Sequence, residues 1–362
     1  MGKNKAKIPK QPFVSICTPT FNRRPFIPII IKCFENQTYP RDKMEWIIVD
    51  DGTDKIEDLV AHLPYVRYFR YDEKMTLGKK RNISNEKAKG DIIVYMDDDD
   101  YYPADRVKHA VESLQNSKAL CAGSSTMFIY FKHIDKMYQF GPYGPNHATA
   151  ATFAFKKELL QKTKFNEKSS VAEERTFLKD YTIPFVQLDS KKTILVFSHN
   201  HNSFDKKELL KQMPNPTIHE TSLLPKDLVS EPEILKFFME DINKLLENYE
   251  PGRPDHKPDV TKQIAELKIE REQKMQEMMK QQADYQDTMK QLNMLTNPQI
   301  AQQKINEQAT IIQQLMSENN KLKEQVQYLN DKIKQLIVAQ IEKRKDVKHI
   351  ELSTDGPTIN IV

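Results

Sequence analysis

Gly90-Asp91-Ile92-Ile93-Val94-Tyr95-Met96-Asp97-Asp98-Asp99-Asp100 joins an unbroken apolar run to four consecutive aspartates. The apolar run reads as a strand buried on both faces, as in parallel sheets covered by helices. Adjacent carboxylates at the end of such a strand repel one another, so something cationic should offset them. A divalent metal carrying a phosphorylated ligand is the simplest candidate.

Working outward from this strand, strand and helix signals alternate over the first ~200 residues, the pattern of an α/β domain with a largely parallel sheet. Strands are expected at 14–18, 46–50, 66–71 and 91–96, and helices at 26–36, 79–89 and 104–115, with Gly90 stopping the second helix. Beyond a Gly141-Pro142-Tyr143-Gly144-Pro145 loop, the sequence suggests a strand over 148–155, a helix over 170–181 and a strand over 193–198. Residues 205–258 read as a connector containing one good helix, 231–248. Pro251, Pro254 and Pro258 close it as a stiff polar linker.

Composition then shifts. Residues 260–344 are rich in Lys, Glu, Gln, Met and Leu, with one proline and no glycine, a long-helix composition. Ile305, Ile312, Asn319, Val326 and Ile333 take heptad position a, and Leu315, Leu322, Leu329 and Leu336 position d. β-branched residues at a with leucine at d favour a parallel two-stranded coiled coil, here over 305–340, and one asparagine at a fixes its register. Glu318 at g faces Lys323 at e of the partner helix. The alternative is a long helix packed on its own domain. Upstream, Ile264, Met275, Met278, Tyr285, Met289 and Leu292 follow helical spacing, but Lys268, Arg271 and Gln282 interrupt the seam. Asn297-Pro298 fits the start of a new helix. The expected organisation is a basic flexible tail (1–11), the α/β domain (12–204), the connector (205–259), coiled-coil helices (260–345) and a second flexible tail (346–362).

The 362 residues carry 55 basic and 51 acidic side chains, too balanced for a nucleic-acid binder. No secretory signal or membrane-spanning apolar stretch is visible. Cys17, Cys33 and Cys121 lack metal-type spacing and read as small core residues. A soluble chain in a reducing, cytoplasmic setting is expected.

Three expected strands end in polar clusters: Thr18-Pro19-Thr20-Phe21-Asn22, Asp50-Asp51-Gly52-Thr53-Asp54, and Asp97 to Asp100. Open α/β sheets bind ligands at the carboxyl ends of their strands, so the clusters define one site. Extended geometry would put Asp97 and Asp99 on one side and Asp98 and Asp100 on the other. Lys79, Lys80 and Arg81 are placed to neutralise phosphates, or to form a solvated helix face.

The segments VSICTPTFN, WIIVDDGTD, LGKKRN and GDIIVYMDDDD, in this order, make residues 14–110 resemble the nucleotide-sugar half of a family 2 glycosyltransferase with a GT-A fold. The likeness extends to glycosyltransferase-like proteins of large DNA viruses and some bacteria, which would allow a virion-associated chain. The resemblance implies a metal-dependent (Mn2+ or Mg2+) inverting transferase taking a nucleotide-sugar donor, UDP-sugar favoured, and a glycan or protein acceptor. It assigns Asp50 to the nucleotide base, and Pro19 and Phe21 beside that base. Lys80 and Arg81 go to the phosphates, Asp98 or Asp97 near ribose, and Asp99, with Asp97 and His199, to the metal. Glu174 stands where the family has its catalytic base, with Glu in place of Asp. Asn200 replaces a glycine beside His199. His147 and Thr149 fall on the acceptor side. Two other classes compete: a nucleotidyltransferase, which would want a glycine-rich phosphate loop that residues 18–24 lack, and a non-catalytic binding scaffold.

Overall fold

The computed structural model describes residues 11–211 and 213–351; the two expected tails fall largely outside them. The described residues fall into two units that divide between Arg271 and Glu272. In the first, strands β1 (Val14–Thr20), β2 (Met44–Asp50), β3 (Val66–Arg70) and β4 (Ile92–Tyr95) are parallel. They connect through α1 (Ile27–Glu35), α2 (Glu57–Val60) and α3 (Leu77–Lys87), and α4 (Arg106–Gln115) follows β4. Three more strands complete this sheet: β5 (Cys121–Gly123), β8 (Ala154–Lys156) and β9 (Phe185–Gln187), in the order β3-β2-β1-β4-β8-β5-β9. β6 (Met127–Phe131), β7 (Lys136–Phe140), β10 (Leu195–Ser198) and β11 (Ile218–Thr221) form a second, four-stranded sheet.

Strand period explains the apolar runs. Val14, Ile16, Trp46, Ile48, Ile92 and Val94 point into one core, while Cys17, Ile47, Val49, Ile93 and Tyr95 point into the other. Both faces are covered, which is why these strands lack polar alternation. Strand order reverses at β1, between β2 and β4, and the crevice at a topological switch point is where such sheets take ligands. Thr18 Oγ1 donates to the Met96 carbonyl (2.6 Å) and accepts from Trp46 Nε1 (2.8 Å), tying β1, β2 and β4 together beneath that crevice. All three cysteines are buried and free, as expected of core residues.

Several expectations are corrected. The α3 helix begins at Leu77, with the Thr76 hydroxyl accepting from Lys79 N as its cap, and ends at Lys87 before an extended Ala88. Gly90 is therefore no helix stop. A side chain there would come within 2.5 Å of Ser15 N, so the glycine permits close approach of β4 to β1. The run 148–155 is a 3-10 turn (Ala150–Thr152) leading into β8 rather than one strand. Of the helix expected over 170–181 only one turn forms, α5 (Glu174–Phe177). Lys179, Asp180 and Tyr181 adopt φ of 49°, 52° and 62°, the left-handed region that ends a right-handed helix. The connector begins with the short α6 (Lys207–Leu210). Its expected helix is α7 (Pro232–Lys236), a π turn (Phe237–Asp241) and α8 (Ile242–Glu247).

The second unit consists of the later part of α9 (Pro258–Thr296) and α10 (Pro298–Glu351). Asn297 Oδ1 accepts from Gln299 N (3.1 Å), the capping expected of Asn297-Pro298. The heptad residues Ile305, Ile312, Leu315, Leu322, Val326, Leu329, Ile333 and Leu336 are all exposed in the single chain. No helix among the described residues is long and apolar enough to cross a membrane.

Candidate active site

A cleft of about 320 Å³ opens at the carboxyl ends of β1 and β4. All four aspartates line it, with Pro19, Phe21, Lys80 and Glu173. β4 ends at Tyr95 and the chain bends over Asp98 to Asp100, so the expected alternation of the aspartates does not hold.

Asp97 and Arg81 form a fork-on-fork pair at 3.2 Å through both guanidinium ends, and Arg81 Nε reaches Glu173 Oε1 at 2.8 Å. Burial opposes the guanidinium charge, but the two carboxylates outweigh it and raise the Arg81 pKa. Asp97, expected near ribose and metal, is thus committed to Arg81. Asp98 and Asp99 both meet Arg23, at 3.5 and 3.3 Å. Burial pushes Asp98 up to about 6. Burial also acts upward on Asp99, yet Arg23 and a 3.4 Å approach from His199 Nε2 hold its carboxyl well below the usual range. Asp100 is pushed well up by burial and by Asp99, and its Oδ1 is buried without a hydrogen-bond partner.

His199, immediately after β10, is buried, and burial lowers its pKa to about 4, so its imidazole is neutral. Its Nε2 lies 2.8 Å from Asn202 Nδ2, and its Nδ1 accepts from His201 N (3.2 Å) in the arrangement found. His201 faces away, pairing with the Tyr249 carbonyl at 2.7 Å.

Asp50 is not brought into the cleft. Its carboxylate accepts from Gly52 N (2.8 Å), Ile56 N (3.2 Å) and the Tyr68 hydroxyl (2.7 Å), which shapes the turn after β2. Its neighbour Asp51 reaches the site indirectly, holding Lys80 Nζ at 2.8 Å. Phe21 is buried, with the Lys74, Lys80 and Lys257 ammonium groups 5.3, 5.8 and 5.9 Å from its ring centre. Glu174 opens α5 and is half-buried; burial and Glu173 push its carboxyl up to about 7. His147 and Thr149 lie outside the cleft lining. The His147 ring is 5.0 Å from Tyr143 and 4.8 Å from Tyr181, and His147 Nδ1 and Thr149 Oγ1 are buried without partners.

Sequence reasoning missed Arg23, Lys74, Lys206 and Lys257, all of which line the cleft. Arg23 had a signal, since it directly follows the polar cluster that ends β1. Lys257 had none: it sits among prolines in a segment with linker composition.

Residues 15–174 match the family model "Glycosyl transferase family 2". Over that span the chain is similar to family 2 glycosyltransferases. The matched span holds β1 to β8, the aspartate run and both members of Glu173-Glu174. Among curated relatives, the poly(ribitol-phosphate) beta-N-acetylglucosaminyltransferase TarS of Staphylococcus aureus is 27% identical over 109 residues, covering 26% of this chain and 18% of that protein. An uncharacterized glycosyltransferase of Haemophilus influenzae is 30% identical over 119 residues, covering 31% and 47%. The chain therefore spans less than half the length of these relatives. Among solved structures, S. aureus TarS 1–349 in complex with UDP-GlcNAc aligns at 19% identity and TM-score 0.42, covering 51% of this chain and 58% of that one. Outside the matched span, the segment 205–271 supplies Lys206 and Lys257 to the cleft.

Proposed function

We propose that this chain transfers a sugar from a nucleoside-diphosphate sugar, UDP-sugar favoured, to a hydroxyl of a glycan or protein acceptor, with inversion and with a divalent metal. The observation that carries the reading is the cleft itself: an aspartate run and five cations, Arg23, Lys74, Lys80, Lys206 and Lys257, meet at the sheet's switch point, and residues 15–174 match family 2. Such a mixture suits a metal-bound diphosphate better than a purely cationic or purely anionic ligand. The curated relative that moves N-acetylglucosamine supports a hexosyl-type donor.

The donor set fits Mn2+ or Mg2+. Asp99 offers oxygen beside the neutral His199 imidazole, and the orphaned Asp100 Oδ1 is a further hard donor. Among the described residues no three His, Cys, Asp or Glu side chains are grouped as a ready cage. Hard cations in such sites commonly take one or two carboxylates and complete their sphere with substrate phosphates and water. Bound there, the metal would supply Lewis-acid stabilisation of the departing diphosphate.

The remaining work falls to the chain's own groups. Phe21 packs beside the base, and the lysines around it neutralise phosphate charge. Glu174 takes the proton of the acceptor hydroxyl as that oxygen bonds to the anomeric carbon. The bond from that carbon to the diphosphate oxygen breaks, and its electron pair leaves with the nucleoside diphosphate. One displacement inverts the centre. The Tyr143, His147 and Tyr181 rings, with the unpartnered His147 Nδ1 and Thr149 Oγ1, offer the acceptor side stacking surface and hydrogen bonds.

A panel of UDP-, GDP- and other nucleotide sugars with Mn2+ or Mg2+, read by nucleoside diphosphate release, should give metal-dependent turnover with at least one donor. Asp99→Asn should reduce it at least ~100-fold if that carboxylate helps stabilise the leaving group. No turnover and no binding across the panel would end this reading and favour a non-catalytic scaffold.

The exposed heptad of α10 is assigned to a second copy of the chain as a parallel coiled coil. Between Ile312 and Leu336, Asn319 is the one polar residue at a or d, the usual device for fixing register at a cost in stability. Sedimentation should find dimers, and Leu322→Asp with Leu329→Asp should yield monomers of unchanged donor turnover. A monomeric wild-type chain at micromolar concentration would refute the assignment.

A further inference from the structure

Residues 249–263 form a strap pinned at both ends to walls of the cleft. At one end the Tyr249 hydroxyl donates to Asp54 Oδ2 (2.9 Å), Asn22 Nδ2 donates to the Pro251 carbonyl (2.8 Å), and Arg23 donates to the Gly252 carbonyl (3.2 Å). Gly252 is pressed into this contact, since a Cβ there would stand 2.8 Å from the Asn22 carbonyl oxygen and from the Tyr249 ring. At the other end Asp259 accepts from the Ser170 hydroxyl (2.6 Å) and pairs with Lys74, while Gln263 Oε1 accepts from Ser170 N (2.8 Å). Arg23, Lys74 and Ser170 all line the cleft. A segment whose composition suggests a linker is therefore fixed structure.

Lys257 lies between the pins and is only 5% exposed. Its Nζ donates to Ser203 Oγ at 2.8 Å. The other two lysines around Phe21 each have a carboxylate: Lys80 has Asp51, and Lys74 has Asp259. Among the described residues Lys257 has no carboxylate at ion-pairing distance. Burial first, and then Arg23 and Lys80, hold its pKa well below the usual lysine range, against a weaker pull from Asp98 and Asp99 farther off. A buried ammonium held by a neutral hydroxyl beside other cations is an expensive arrangement unless an anion arrives. The anion must fit between the Phe21 ring and the aspartate run. In the proposed donor pose the base lies against the ring, and the diphosphate follows.

Resting on that donor reading, we propose that Lys257 binds the diphosphate of the nucleotide sugar, so that the strap completes the donor site from outside the span that matches family 2. A lysine acts on phosphate as a compact point charge, which suits a position reached by one ammonium group. Its contribution should scale with phosphate charge and be absent for the bare nucleoside.

The test is calorimetric titration of the full chain with UDP, GDP, uridine and guanosine, in metal-free buffer and with Mn2+. Lys257→Gln should weaken whichever diphosphate the wild type binds by roughly 10- to 100-fold, the range of a lost charge-assisted hydrogen bond. Its nucleoside affinity should stay within about twofold, and Lys257→Arg should recover most of the loss. Thermal unfolding of each variant separates binding from folding. Equal weakening of nucleoside and diphosphate, or no weakening, overturns the assignment while leaving the donor reading intact. A correctly folded wild type that binds neither diphosphate overturns both.

Discussion

Replacing Glu174 with glutamine is expected to lower kcat for sugar transfer by roughly 10²- to 10⁴-fold, the usual contribution of a positioned general base. Donor affinity should change little, because Glu174 stands outside the residues that line the donor cleft. Burial and the adjacent Glu173 push the Glu174 carboxyl up to about 7, close to the optimum for proton transfer at neutral pH. Glu173 is a poorer candidate, since its carboxylate is already engaged by Arg81 Nε at 2.8 Å. Wild-type kcat/KM should therefore rise with pH through about 7 and then level. Glu174→Gln should show neither the rise nor the rate. A variant keeping more than about a tenth of wild-type turnover would sink the assignment. If Glu173→Gln alone abolished transfer in a folded protein, the base would be Glu173.

The same residue should cost stability. Its folded-state pKa is raised above the unfolded carboxylate value, so the folded state binds more protons between roughly pH 4.5 and 7. Stability should fall as pH rises through that window and stay low above it. Glutamine cannot ionise, so Glu174→Gln should unfold at a higher temperature than wild type at pH 8 and show little difference at pH 4. Higher stability with lost activity is the expected signature of a strained catalytic group.

The parts of this molecule legible in its sequence are those set by local periodicity. β1, β2 and β4 could be placed because burial on both faces leaves largely apolar runs, while the half-buried edge strand β3 was legible from its β-branched and aromatic residues; their order together with the polar residues at the ends of β1, β2 and β4 located the cleft. Side-chain commitments were less legible. Asp50 and Asp51 are chemically alike in sequence, yet backbone amides and the Tyr68 hydroxyl occupy one, while the other holds Lys80. The alternation rule failed over Asp97 to Asp100 because the chain bends at Asp98 to Asp100, so that the adjacent Asp98 and Asp99 share Arg23 while Asp97 goes to Arg81. The helix expected over 170–181 failed because local bonds compete with it. Asp180 N donates to the Arg175 carbonyl (2.9 Å), and the Asp180 carboxylate takes Arg175 Nε (2.6 Å), stabilising left-handed residues that composition does not announce. Lys257 was invisible for a different reason. Its role depends on contacts with residues some 230 positions earlier, which no local pattern encodes.

Arg81→Met should destabilise the first unit by about 3–5 kcal/mol, the cost of stripping a buried ion network of its only shared cation. Arg81 is almost wholly buried, lies 4.5 Å over the Tyr95 ring, and bonds both Asp97 and Glu173. Methionine fills similar volume, so the loss should come from charge rather than from a cavity. The reporter is Trp46, the chain's single tryptophan, which stacks on Phe34 at 5.2 Å in the core of this unit. Its fluorescence follows this unit, whereas far-ultraviolet dichroism is weighted toward the long helices. Urea unfolding read by Trp46 should show the midpoint shift. Arg81→Lys should fall between wild type and Met, because an ammonium cannot hold the fork to Asp97 and reach Glu173 together. The double change Arg81→Met with Glu173→Leu should regain part of the loss. Glu173 is the more buried partner, and the remaining Asp97 is exposed enough to find water. A shift below about 1 kcal/mol in the single variant would mean that the carboxylates find other partners, and that Arg81 does not hold the aspartate run in place.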